Sequence, residues 1–235
     1  MFSRLRSLVF AAVMGLICAV LLTAASSGLR PYQEANMELD RQRNILAAVG
    51  LIDPETNPAP GTVRGLYHDS IRSMWVDGSG RLHDSAQSPA DLPLYLCLDG
   101  QTLRAYVIPI DTRGLWGPIK GYLAVEKDGS TIAGFTVFKH AETPGLGGEI
   151  EKRWFQKNFA GKRIVNRAGQ FVSVAVAKGK VGETVAADLQ DHYVDGISGA
   201  TLTGKYLSGG LQKILSDYEP VAVQFRQNRY PGANR

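Results

Sequence analysis

The chain is poor in cysteine. Cys18 and Cys97 are the only two among 235 residues, the first inside a hydrophobic run and the second far along the polar part of the chain. They are not expected to pair, and no Cys-x-x-Cys or Cys/His spacing indicates a zinc site or an iron–sulfur cluster. A Gly-x-Gly-x-x-Gly turn after a strand, the nicotinamide fingerprint, is missing. Neither charge sign dominates: 26 Lys and Arg against 22 Asp and Glu leave a net charge of +4. The basic residues are scattered and form no stripe, so a nucleic-acid partner is not expected. The basic run Arg226–Gln227–Asn228–Arg229 reads as a solvated tail. Internal repeats and low-complexity tracts are absent. Redox chemistry in such a chain needs a bound organic cofactor or another subunit's metal.

One long hydrophobic run is present. Leu8 to Ala25 carries no charge, and at 1.5 Å per residue it spans about 27 Å, close to a bilayer's hydrocarbon thickness. Arg4 and Arg6 precede it and no acidic residue does. The positive-inside rule then puts the amino terminus in the cytoplasm and everything after Ser26 outside. Thr23–Ala24–Ala25 leaves a cleaved signal peptide as the competing reading, although the apolar run exceeds the ~7–15 residues of a signal-peptide core.

Beyond this segment, Leu39, Ile45, Leu46 and Val49 fit a short amphipathic helix within Pro31–Gly50, with Gly50 as its carboxyl-terminal cap. Asp53 to Gly65, rich in Pro, Asn and Gly, reads as a linker. Gly65 to Leu98 is ambiguous. Leu103–Ile110, Tyr122–Val125 and Thr131–Phe138 read as strands, the last two joined by a hairpin at Asp128–Gly129. Ile150, Trp154 and Phe155 recur at helical spacing, with Gly161 as the stop. Phe171–Ala177 alternates like a strand, and Leu207, Leu211, Ile214, Leu215 and Tyr218 form one face of a last helix from about Thr203. The expected architecture is α+β: one amino-terminal transmembrane helix, then a largely antiparallel-sheet domain outside the membrane. The expected divisions are an anchor at 1–28, a juxtamembrane helix and linker at 29–64, a globular domain at 65–220 and a tail at 221–235.

The segment Asp195–Gly196–Ile197–Ser198–Gly199–Ala200–Thr201 lies directly before that last helix. A helix begins with free backbone N–H groups and the positive end of its dipole, which suits a phosphate. Gly199 and Ala200 are small enough for close approach of a bulky ligand, and Thr201 offers a hydroxyl at that end. The plain alternative is that Ser and Thr here only cap the helix.

The segment resembles the flavinylation motif on which a periplasmic FMN transferase moves FMN from FAD to the motif's final Thr or Ser, here Thr201. Three more segments resemble the C subunit of the Na+-translocating NADH:quinone oxidoreductase. They are Leu29–Glu34 with Leu39–Leu46, Gly114–Tyr122 (GLWGPIKGY), and His140–Gly147 (HAETPGLG). With the anchor and the flavinylation motif they keep the family's order across almost the whole chain; Gly65–Leu98 carries no family motif. The resemblance implies a periplasmic FMN-binding domain with FMN joined to Thr201 by a phosphoester, next to Ser198, Gly199 and Ala200. It also implies flavin contacts from Thr143, Gly145, Leu146 and Gly147, with a plain strand-to-helix loop as the alternative for that segment. Trp116 is either a ring contact or a core tryptophan beside a tight turn. His140 is either a proton donor to reduced flavin or a polar strand-end residue, and Thr203 is the rival hydroxyl. Asp195 assists the loop or the transferase, and His68, His83 and His192 form no constellation.

The implied role is that of an electron carrier in the bacterial inner membrane, inactive alone, in a six-subunit complex. Its implied partners are the B, D and E subunits and the FMN transferase. Electrons from NADH would enter through another subunit's flavin and iron–sulfur cluster, reach Thr201-bound FMN, and pass to a second covalent FMN in the B subunit and on to ubiquinone. No metal site and no catalytic side chain are expected. The alternatives are the G subunit of the related Rnf complex, a membrane-anchored FMN-binding regulator, and a flavin-free periplasmic binding module.

Overall fold

The structure, a computed structural model, describes residues 2–230, with side chains from residue 5. The side chain of Arg4 and the last five residues of the expected tail lie outside the described residues. Two compact units are present, one up to Arg41 and one from Gln42 onward.

The first unit is helical throughout. Helix α1 (Phe2–Ala48) joins the apolar run and the expected juxtamembrane helix into one element that continues through Pro31. Pro31 has no N–H to give the carbonyl of Ser27, a local loss within a helix of 47 residues. Arg30–Glu34 and Arg41–Glu38 ion pairs add i,i+4 and i,i+3 support. Leu8, Phe10, Leu16, Leu21 and Leu22 are exposed, and the helix is long and apolar enough to cross a membrane.

In the second unit the end of α1 buries Ile45, Leu46 and Ala48. Gly50, at φ 72°, donates to the Ala47 carbonyl at 3.0 Å, and Leu51 donates to the Leu46 carbonyl at 2.9 Å, which together make a Schellman cap. The expected linker is largely structured. Asp53 caps a 3-10 helix at Pro54–Thr56, and α2 runs Pro60–Ser70. Proline starts a helix as readily as it breaks one, and Gly61 and Gly65 sit on α2 with open space around them.

Six strands form one antiparallel sheet in the order β2-β1-β3-β4-β5-β6. They are β1 (Ile71–Val76), β2 (Leu82–His83), β3 (Leu92–Asp99), β4 (Thr102–Arg113), β5 (Pro118–Glu126) and β6 (Ile132–Lys139). The stretch 65–98 thus supplies half of the strands. The β5–β6 turn has Gly129 at φ 64°, and the Asp128 carboxylate accepts the amides of Ser130 and Thr131 at 2.8 and 2.9 Å. Ile150, Phe155 and Phe159 pack on the sheet, but their helical spacing is realised in short pieces: a 3-10 helix at Gly147–Glu151, α3 (Arg153–Gln156) and a 3-10 helix at Lys157–Phe159. Gly161, at φ 80°, ends them.

Of the expected strand Phe171–Ala177, only β7 (Ala175–Val176) forms. It pairs in parallel with β8 (Tyr193–Val194). Ser173, at φ 68°, breaks the extended run before it. A short helix, α4 (Val181–Thr184), lies between β7 and β8. Helix α5 (Thr201–Asp217) buries Leu207, Leu211 and Leu215 against the sheet. Gly210 lies so close to Thr112 of β4 that a Cβ there would overlap its side chain.

The chain then continues into the core where a tail was expected. Helix α6 (Glu219–Arg226) buries Val221, Ala222 and Phe225, and Phe225 stacks on Tyr106 with ring centroids 4.3 Å apart. Arg226 is not a solvated tail residue: it donates to the Gly129 carbonyl at 2.8 Å and pairs with Glu219. The observed class is the expected α+β, with an apolar amino-terminal helix and a largely antiparallel sheet.

Candidate functional site

The turn that starts α5 is built without spare volume. Gly196 donates to the Gly179 carbonyl at 2.8 Å, and a Cβ at Gly196 would overlap the carbonyl oxygen of Ala177. Ala200 donates back to Ile197 at 3.1 Å, and Gly199 holds φ 73°, a region that disfavours side chains. Ala200 is the N-cap residue, and no side chain caps the helix. The plain capping reading of Ser198 and Thr201 therefore has no hydrogen bond behind it. Ser198, Gly199, Thr201 and Leu202 are exposed while Ala200 is buried. Thr201 is the first helical residue, and its hydroxyl makes no hydrogen bond among the described residues. Two residues on, the Thr203 hydroxyl is occupied. Thr203 is 2% exposed and donates to Glu142 Oε2 at 2.5 Å.

Glu142 brings in the second segment, the loop after β6. Its other oxygen, Oε1, accepts the backbone N–H of Trp116 at 3.0 Å, so a single carboxylate touches the β4–β5 turn and the first turn of α5. Within the loop, the Thr143 carbonyl accepts the amides of Leu146 and Gly148 at 3.1 and 2.9 Å, and Gly145 takes φ 74°. Thr143, Gly145 and Leu146 are exposed, and Gly147 is buried. Leu146 reaches Gly199, where a Cβ would come within 2.7 Å of its Cδ2. The loop and the turn that starts α5 are thereby in contact. His140 Nδ1 accepts the Glu142 amide at 3.1 Å. The other ring nitrogen, Nε2, then carries the proton and faces Glu151 at 3.1 Å. Both nitrogens of His140 are thus engaged, one by the loop and one by the 3-10 helix that follows it.

The third segment is the turn Gly114–Gly117, closed by a hydrogen bond of 2.7 Å from the Gly114 amide to the Gly117 carbonyl. Trp116 is 69% exposed, which rules out the core-tryptophan reading. Leu146, Leu202 and Tyr206 are exposed large hydrophobics around the same site. A depression of about 390 Å³ runs between the end of β4 and the outer face of α5, lined by Arg113, Leu202, Lys205, Tyr206 and Lys213 among others. A second, of about 440 Å³, shares Thr112 and Arg113 with it and extends to Trp116.

Sequence reasoning brought Thr201, Leu146 and Trp116 to this site. It did not single out Arg113, Leu202, Lys205 or Tyr206, and gave Glu142 no role. Leu202 and Tyr206 carried a signal, since both are apolar yet lie off the Leu207–Leu211–Leu215 face.

Asp195 anchors the turn from below. Its Oδ2 pairs with Lys180 Nζ and its Oδ1 accepts the Val181 amide, both at 2.8 Å. The Lys180 ammonium first, and the Val181 N–H next, hold its carboxyl below the ordinary value of 3.8. A carboxyl with a lowered folded value stabilises the fold fully above its unfolded value, and that contribution is lost as pH falls through the folded one. Asp195→Asn should flatten the acid limb below about pH 4. Denaturant midpoints of the two chains, measured in steps from pH 6 to pH 3, should converge as pH falls.

The family description "FMN-binding domain" matches residues 114–216, which include all three segments of the site. The chain is 34% identical to the C subunit of the Na+-translocating NADH-quinone reductase of Haemophilus ducreyi, over 82% of each chain. It is 32% identical to the Yersinia pestis C subunit, covering 88% of this chain and 85% of that one. The crystal structure of the C subunit from Parabacteroides distasonis superposes with a TM-score of 0.70 at 31% identity, covering 83% of this chain and 96% of that one. The Shewanella oneidensis NqrC structure, at 22% identity, shares the fold with a TM-score of 0.66, covering 80% and 97%. The chain belongs to the family of the C subunit of the Na+-translocating NADH-quinone reductase, with an FMN-binding domain that contains the turn at the start of α5.

Proposed function

We propose that this chain carries electrons within the reductase through FMN held by a phosphoester to Thr201 Oγ1. The observation that carries this reading is the contrast between two hydroxyls on one helical turn: Thr201 is exposed and uncapped, whereas Thr203 is buried and engaged.

The residues present fit such a group. The free amides and dipole of the first turn of α5 favour a phosphate at Thr201. Gly199, with no side chain, lets Leu146 pack close beside Thr201, with Ser198 and Ala200 on the same turn. Trp116 and Leu146 offer apolar surface to a planar ring system. Thr143, Gly145 and Gly147 shape the loop beside it, although Gly147 acts from a buried position. Bound FMN supplies the redox chemistry, and the protein supplies position and surroundings. For loading, Thr201 Oγ1 attacks the phosphorus on the FMN side of FAD, its proton leaves, and AMP departs as the leaving group. A periplasmic FMN transferase is the enzyme for this step.

Arg4 and Arg6 before the apolar run favour a cytoplasmic amino terminus, with α1 as a single-pass anchor in the inner membrane and the flavin domain in the periplasm. The partners in this reading are the B, D and E subunits, with electrons passing on to a covalent FMN in the B subunit. The test is mass spectrometry of chain made alongside the transferase. The tryptic peptide Val181–Lys205 should gain one FMN less water, with the modification localised to Thr201. An unmodified peptide from a host that has the transferase would overturn the reading.

A further inference from the structure

We propose that Glu142 is a positioning residue for the flavin: its two carboxylate oxygens tie the Trp116 turn to the first turn of α5 and so set the spacing of the two walls that flank the ring system. The inference rests on the reading of Thr201 as the attachment site.

Glu142 is 4% exposed. Burying a carboxylate is costly unless hydrogen bonds replace its water. Here the replacement comes from the site itself. Oε1 takes the Trp116 N–H at 3.0 Å and Oε2 takes the Thr203 hydroxyl at 2.5 Å. Both donors are main-chain or buried groups of the two walls, and they lie 26 and 61 residues away in sequence.

The backbone on either side makes room for this carboxylate. A Cβ on Gly114 would stand 2.5 Å from Oε1. A Cβ on Gly147 would stand 2.8 Å from Oε2 and 2.5 Å from Thr203 Oγ1. The Glu142 amide is itself fixed by His140 Nδ1 at 3.1 Å. The carboxylate is therefore held at its base and clamped at both oxygens. Trp116 and Thr201 each lie within two residues of a group it holds. Loss of either acceptor frees one wall to shift against the other, which alters the asymmetric surroundings of the flavin without touching the Thr201 hydroxyl.

The experiment uses the full chain in detergent, produced with excess transferase, as wild type, Glu142→Ala, Glu142→Gln and Thr203→Val. Four quantities are read: the mass of the Val181–Lys205 peptide, the far-ultraviolet circular dichroism, the visible circular dichroism of the flavin, and its midpoint potential. Glu142→Ala and Thr203→Val should keep the flavin mass and the fold. Both should lose at least half of the visible dichroism and shift the potential in the same direction. Glu142→Gln retains an acceptor for Trp116 and lets the Thr203 hydroxyl turn to accept, so it should restore most of the signal.

A folded, labelled Glu142→Ala chain with wild-type dichroism and potential overturns the proposal. If that variant does not fold, Thr203→Val decides by the same readings, because it keeps the side-chain shape and removes only the hydroxyl. Absence of label in the wild type would instead sink the attachment reading, so the two failures are distinguishable.

Discussion

Thr201→Ala should abolish the flavin fluorescence of the 25.5 kDa band on a denaturing gel and take quinone reduction by the assembled complex down to background. If FMN is joined only through Thr201, as proposed, the expected effect is complete, because no other oxygen would hold the flavin. Thr203 cannot take over: its hydroxyl is buried and already donates to Glu142. Stability should barely move. Thr201 is exposed and makes no capping hydrogen bond, and such surface substitutions usually stay within about 0.5 kcal/mol. Thr201→Ser keeps the hydroxyl and should keep the fluorescent band. Loss of activity with an unchanged melting temperature separates a missing cofactor from a damaged fold. Persistent fluorescence at that mass in Thr201→Ala would exclude Thr201 as the sole attachment point.

The second large effect is on stability. Gly196→Ala places a Cβ onto the backbone carbonyl of Ala177 and 3.1 Å from the Gly179 amide nitrogen. Neither neighbour is a flexible side chain that can swing away. Gly196 also donates to Gly179 at 2.8 Å, so relief by backbone movement sacrifices that bond and disturbs the β7–β8 pair beside it. Overpacking against fixed atoms costs about 1–3 kcal/mol and occasionally more, and the upper end is expected here. For a unit of this size that is a fall in melting temperature of about 6–12 °C. Gly65→Ala is the matched control. Gly65 lies on α2 with nothing within 4 Å of an added Cβ, and alanine there should stabilise by about 0.5–1 kcal/mol. Thermal unfolding of both full-length variants in detergent, followed by near-ultraviolet circular dichroism, checks the opposite signs. Equal stability of Gly196→Ala and wild type would contradict the close approach at Ala177.

These contrasts show which parts of the fold are legible in the sequence. Signals that live within a few residues came through: the uncharged run Leu8–Ala25, the strand-forming runs of β4–β6, the Asp128–Gly129 turn and the apolar face of α5. Helix α2 was hidden because Pro60, Gly61 and Gly65 read as linker residues, yet Pro60 is a good first helical residue. Helix α6 was hidden behind Pro220 in the same way. The parallel β7–β8 pairing joins Ala175 to Tyr193, a distance across which no periodicity is visible. At the site, resemblance singled out the turn before α5, the Trp116 turn and the loop after β6 one by one. Their junction at Glu142 has no local signature, because a glutamate in a Pro/Gly-rich loop looks solvated until the chain is folded. The capping reading of Ser198 and Thr201 failed for a related reason: Ala200 takes the cap position, and only backbone geometry shows it.

The placement of Pro31 in α1 bears on how the helix meets lipid. Proline leaves the carbonyl four residues earlier without a donor, here that of Ser27. Ser27 lies only about 3 Å of helix rise past Ala25, where the apolar run ends. With Leu8–Ala25 in the hydrocarbon of a bilayer, an oxygen without a donor at that level would reach headgroups and interfacial water, which can hydrate it. The same proline at Leu22 would strand the carbonyl of Cys18 in hydrocarbon, at a cost of about several kcal/mol. With Pro31 in that placement the helix would run unbroken through a residue that usually ends helices at little cost, because the oxygen it orphans would emerge just where solvation resumes.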